Sequence, residues 1–123
     1  MTNRIFTYHE ANEALETVRT KTLAASERLE TLRVQAEQVG PGQAEKISEW
    51  MDAVVNQWSS DMLALGALPK GLFTVDFDSG KGFYFCWTLN EPVLDHFHRY
   101  EEGFANRKPL PDEEKRDVPT VLN

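Results

Sequence analysis

The chain has 123 residues, with 13 lysines and arginines against 20 aspartates and glutamates, a formal charge of −7. One domain is expected at this length, and a chain of this size buries a core without disulfide or metal staples. The acidic excess argues against nucleic acid and anionic membrane as partners, because affinity for both rests on lysine and arginine. Cys86 is the single cysteine, which excludes an intrachain disulfide and fits a reducing, cytoplasmic setting. The first residues lack the apolar stretch of a signal peptide, and no run approaches the roughly 18 apolar residues of a membrane span.

Thr7-Tyr8-His9-Glu10 reads as a capping box that starts a helix, with Phe6 and Ala11 placed for a weak hydrophobic staple. Apolar or small residues then recur at Ala11, Leu15, Val18, Thr22, Ala25, Leu29, Leu32, Ala36 and Val39, in alternating steps of four and three. That 3.5-residue repeat predicts a helix over 8–39 with a coiled-coil seam. At about 1.5 Å per residue it is about 48 Å long, too long for a small core to cover, so it needs a partner helix. Gly40-Pro41-Gly42 stops it. A second, antiparallel helix is expected over 43–65, with a stripe of Ile47, Met51, Val54, Trp58, Met62 and Leu65. Trp50 widens that stripe, and both Trp50 and Trp58 read as core.

Beyond Gly66, Pro69 and Gly71 the period changes to two. Phe73, Val75 and Phe77 share one face of a strand. After the turn Asp78-Ser79-Gly80-Lys81-Gly82, Phe83, Phe85 and Trp87 share one face of the next, with Tyr84, Cys86 and Thr88 on the other. The segment 72–88 therefore reads as a two-stranded β-hairpin whose aromatic face packs on the helices. Asn90-Glu91-Pro92 reads as the start of a short third helix over 92–102, lined by Val93, Phe97, Tyr100 and Phe104, with Gly103 at its end. Residues 105–123 read as an extended or disordered tail. The expected fold is α+β and mostly α: a long antiparallel helical hairpin, a β-hairpin and a third helix in one domain over 1–104, followed by the tail.

The residues able to carry chemistry cluster late in the chain. Glu91, Asp95, His98 and Glu102 fall at steps of four, three and four, one face of the expected third helix. Carboxylates and an imidazole at such spacing can ligate a divalent transition metal, and Cys86 can add a thiolate from the neighbouring strand. The plain alternative is a solvated acidic helix face with a buried, inert thiol. Ser79-Gly80-Lys81-Gly82 is no phosphate loop, since it leads into a strand rather than a helix.

The order Phe6-Thr7 and Glu10-Ala11-Asn12, then Cys86-Trp87, Leu89, Glu91-Pro92, His98, Gly103-Phe104-Ala105, Arg107 and Pro109-Leu110, resembles a family of small uncharacterised bacterial proteins catalogued as a domain of unknown function. The resemblance implies no reaction. It implies that Cys86, Trp87, Glu91, His98 and Arg107 hold the family's recurring polar or reactive positions. Asn90 stands where the family commonly has Gly, and Glu101 where it commonly has Asp. The candidate metal ligands are accordingly His98, Glu101, Glu102, Glu91 and Cys86.

Three functional expectations stand side by side. The first is a non-enzymatic helical interaction or structural protein that self-associates, as a homodimer or other homo-oligomer, through its long helices. The second is a metal-binding protein or metal-dependent enzyme using the late cluster. The third is thiol chemistry at Cys86, with His98 as its base. Residues 71–104 hold six acids against two bases and nine of the thirteen aromatics, so a cation or a basic partner belongs there.

Overall fold

A computed structural model describes residues 4–116. Helix α1 spans Tyr8–Glu37 and helix α2 spans Pro41–Ala64. The expected capping box is present: Glu10 N–H donates to Thr7 Oγ1 at 3.0 Å, and Thr7 N–H to Glu10 Oε1 at 2.9 Å. The seam buries Ala11, Leu15, Val18, Thr22 and Leu32, with Ala25 and Leu29 partly covered. Both helix limits shift slightly from expectation. Pro41 does not merely stop α1: with Gly40 as N-cap it becomes the first residue of α2, where its missing N–H costs nothing and its fixed φ is already helical. Trp58 and Met62 are buried, but Trp50 is 50% exposed and is not core.

The rest of the chain departs further from expectation. A five-stranded antiparallel sheet replaces the two-stranded hairpin, with strands β1 (Leu68–Pro69), β2 (Thr74–Asp78), β3 (Phe83–Thr88), β4 (His96–Arg99) and β5 (Lys108–Pro109) neighbouring in chain order. There is no third helix over 92–102: its centre is β4, paired with β3 through Tyr84↔His98 and Cys86↔His96. Three of the four residues of the expected helical stripe, Val93, Tyr100 and Phe104, are exposed, so a helix there had little to bury. A helix of that length is marginal without packing. The open edge of β3 offered ladder hydrogen bonds instead, and the alternation of Leu94, His96 and His98 fits them. Asn90, expected near a helix cap, turns the chain after β3 at φ 83. Part of the expected tail is also folded. Residues Phe104–Asn106 and Asp112–Lys115 form 3-10 turns, β5 extends the sheet and Leu110 is buried. Residues 117–123 of that segment lie outside the described residues.

The sheet has two unlike faces. The register sets Val75 opposite Trp87 and Phe77 opposite Phe85, and this face packs on the helices. Trp58 of α2 meets Phe73 edge-on at 5.2 Å, Phe6 meets Phe77 at 5.2 Å, and Tyr8 of α1 meets Phe85 at 5.7 Å. Such edge-to-face pairs add to plain area burial. The opposite face carries Thr74, Asp76, Tyr84, Cys86, His96 and His98. It is roofed in part by the segment that returns from β4 to β5.

Candidate metal centre

Three neighbouring strands each contribute one ligand-type side chain to the polar face. Asp76 of β2 lies directly opposite Cys86 of β3, and His98 of β4 is set diagonally from Cys86. Their exposures are 1%, 0% and 4%. One potential ligand atom from each lies within 4.8 Å of the others. Burial of an acid, a thiol and an imidazole together is unusual in a chain with apolar residues to spare, because polar groups in a core must be paired.

The pairing here is incomplete. His98 is bound at both nitrogens: Nδ1 is 3.1 Å from the Arg99 carbonyl oxygen and Nε2 is 3.0 Å from Asp76 Oδ2. A carbonyl only accepts, so Nδ1 directs its proton toward Arg99, and Nε2 is the ring atom turned inward to Asp76. A carbonyl-anchored Nδ1–H is the usual support behind a metal-binding Nε2. Asp76 Oδ1 is buried with no hydrogen-bond partner among the described residues. Burial pushes the Asp76 carboxyl above the ordinary carboxylate range, opposed in part by His98, by a hydrogen bond with the Cys86 thiol and by Lys70. Burial, with the negative charge of Asp76 second, pushes the Cys86 thiol up to about 12. The metal-free cluster thus favours the protonated thiol over the thiolate, the form that nucleophilic chemistry would need.

Of the residues singled out in the sequence, the fold brings Cys86 and His98 together and places the others elsewhere. Glu91 is taken by a two-pronged ion pair with Arg107, whose Nη1 donates to Oε1 at 2.9 Å and whose Nη2 contacts Oε2. The Thr88 N–H also donates to Glu91 Oε1, at 2.9 Å. Burial pushes Glu91 up, but the hydrogen bonds from Arg107 and Thr88 outweigh it and hold the carboxyl below its usual range. Glu101 is exposed and pairs with Arg99 at 3.5 Å. Glu102 accepts from Arg99 N–H at 3.0 Å and lines a cleft beside Asp76 and His98, without reaching the cluster. Asp95, on the same expected helical face, pairs with Lys115 at 2.6 Å. Arg107 links the two groups, since its Nη1 lies 4.0 Å from Cys86 Sγ.

Asp76 was missed. It alternates with Val75 and Phe77 and so reads as a solvent-facing residue of a two-stranded hairpin. The available signal was a polar residue at mid-strand in each of three consecutive β segments, usable only once 96–99 is recognised as a strand.

The molecule is thus an α+β protein in which a helical hairpin backs an antiparallel sheet, with a buried Asp–Cys–His cluster on the far face. The chain belongs to DUF2203, described as an uncharacterized conserved protein family, whose model matches residues 4–110. No curated protein and no solved structure matches it. Among the described residues no helix is long and apolar enough to cross a membrane.

Proposed function

We propose that the protein binds one divalent transition metal through Asp76, Cys86 and His98. The observation that carries this reading is a buried trio with an unpartnered Asp76 oxygen and a His98 ring anchored from behind. Mixed sulfur, nitrogen and oxygen donors suit zinc or its spectroscopic substitute cobalt. A cation would satisfy Asp76 Oδ1, draw the proton from Cys86 and offset the charge now buried on Asp76. A reducing cytoplasm suits a single thiol kept for this purpose.

The test is metal loading of the purified chain. Expected are one equivalent of Zn2+ or Co2+ per chain and a thiolate-to-cobalt charge-transfer band. The band disappears in Cys86→Ser, and affinity falls at least tenfold in Asp76→Asn and His98→Ala. Glu101→Gln serves as a folded control with unchanged affinity. Circular dichroism identifies any variant that fails to fold. Equal metal content in the wild type and all three ligand variants overturns the reading.

Self-association through the helical hairpin is a second, compatible reading, supported by Trp50. This half-exposed ring stands between a cleft of about 650 Å³ floored by Ala24, Ala25 and Ala53 and one of about 470 Å³ beside Val39, Gly42 and Ile47. A protruding aromatic and alanine-lined hollows on one surface are the knob and hole of an isologous dimer. Light scattering at micromolar concentration should give a dimer that Trp50→Glu dissociates. A 14.1 kDa species alone refutes it.

A further inference from the structure

We propose that the cleft beside the cluster seats a small monocarboxylate, which takes the exchangeable position of the bound metal with Lys70 as its counter-charge. This rests on the metal reading and adds a ligand class to it. The cleft has a volume of about 260 Å³, and the buried Asp76 and His98 form part of its wall while Cys86 does not. A metal held by the trio would therefore have Cys86 behind it and the cleft in front. Three protein ligands leave a tetrahedral ion one open position, the arrangement of sites that exchange water for a ligand.

The rest of the wall defines the ligand. Among the described residues Lys70 is the only lysine or arginine lining the cleft, and it makes no ion pair there. Its ammonium sits 5.9 Å from the centre of the Tyr84 ring, and its charge acts on Asp76. The other nearby cation, Arg107, is neutralised by Glu91. A divalent ion and Lys70 supply three positive charges, and Asp76, the Cys86 thiolate and Glu102 supply three negative ones. A monoanion leaves a single excess negative charge, whereas a phosphate dianion would face Glu102 with twice that burden. Tyr84 and Phe104 give the cavity aromatic walls, and its volume, about nine times a water's share of the liquid, confines the ligand to a small molecule.

The probe is acetate, titrated at constant ionic strength into the full chain loaded with Co2+. Expected is a saturable shift of the cobalt ligand-field bands with the thiolate band retained. Lys70→Met should weaken acetate binding about tenfold while the thiolate-to-cobalt band still forms. Ligand-field bands unmoved by acetate while the thiolate band is present overturn this proposal and leave metal binding standing. An unchanged acetate affinity in Lys70→Met, or phosphate binding as tight as acetate, overturns the assignment of ligand and counter-charge. Absence of the thiolate band overturns both readings together.

Discussion

The indole Nε1 of Trp58 donates a 2.8 Å hydrogen bond to Thr22 Oγ1 in the buried contact between the two helices. Thr22 occupies a seam position otherwise filled by apolar residues, so its hydroxyl matches α1 to one register of α2. Thr22→Val keeps the shape and removes the acceptor, leaving a buried N–H without a partner. The expected cost is about 1–3 kcal/mol, read by urea unfolding. In the Thr22→Val/Trp58→Phe double variant part of that cost returns, because no orphan donor remains. Strictly additive losses would show that the bond contributes nothing of its own.

Asp76 makes the metal-free protein sensitive to base. Its folded pKa lies above the unfolded one, so the carboxyl favours folding most below the ordinary carboxylate range. That contribution is lost as pH rises through the raised value. Asp76→Asn should therefore be about 1 kcal/mol more stable than the wild type at neutral pH without metal, and no more stable at acid pH. Saturating Zn2+ should reverse the order, since the wild type gains more binding energy than the weaker-binding variant. Thermal melts with and without chelator check both halves.

Glu91 behaves in the opposite sense. Its folded pKa is depressed, so the pair with Arg107 contributes fully above the unfolded carboxylate pKa and is lost as pH falls through the folded one. Glu91→Gln should cost about 1–3 kcal/mol at neutral pH and flatten the acid limb of the stability curve. An acid limb as steep as the wild type's would assign it to other carboxylates.

The Cys86 thiol should resist alkylation in the metal-free native protein at pH 8, since it is fully buried and its pKa is pushed to about 12. Labelling should proceed at the rate of global or local opening and become fast in urea. Zinc loading at the same pH should release close to one proton per chain from this thiol, measurable in weak buffer. Rapid labelling of the native chain would instead revive thiol chemistry at Cys86.

The long-period parts of the fold were legible in the chain, and the sheet beyond the first hairpin was not. The seam from Ala11 to Leu32 and the Thr7–Glu10 box are local patterns that tertiary structure had only to preserve. The same holds for the alternation of Phe83, Phe85 and Trp87. Residues 93–104 carry two periods at once: Val93, Phe97, Tyr100 and Phe104 fit a helix, while Leu94, His96 and His98 fit a strand. The choice was made by the vacant edge of β3, which lies outside the segment. The site followed the same division. Cys86 and His98 stood out by residue type. Asp76 joins them only through strand pairing across 22 residues, and Glu91 is withdrawn by an arginine 16 residues on.

Both border strands of the sheet are two residues long and each contains a proline, Pro69 opposite Val75 and Pro109 opposite His96. With a single amide N–H per border strand, neither rim presents the row of donors that an incoming strand requires. Growth of the sheet from molecule to molecule is thereby blocked at both rims. The aromatic-rich middle strands thus reach high local hydrophobicity with no open strand edge beside them.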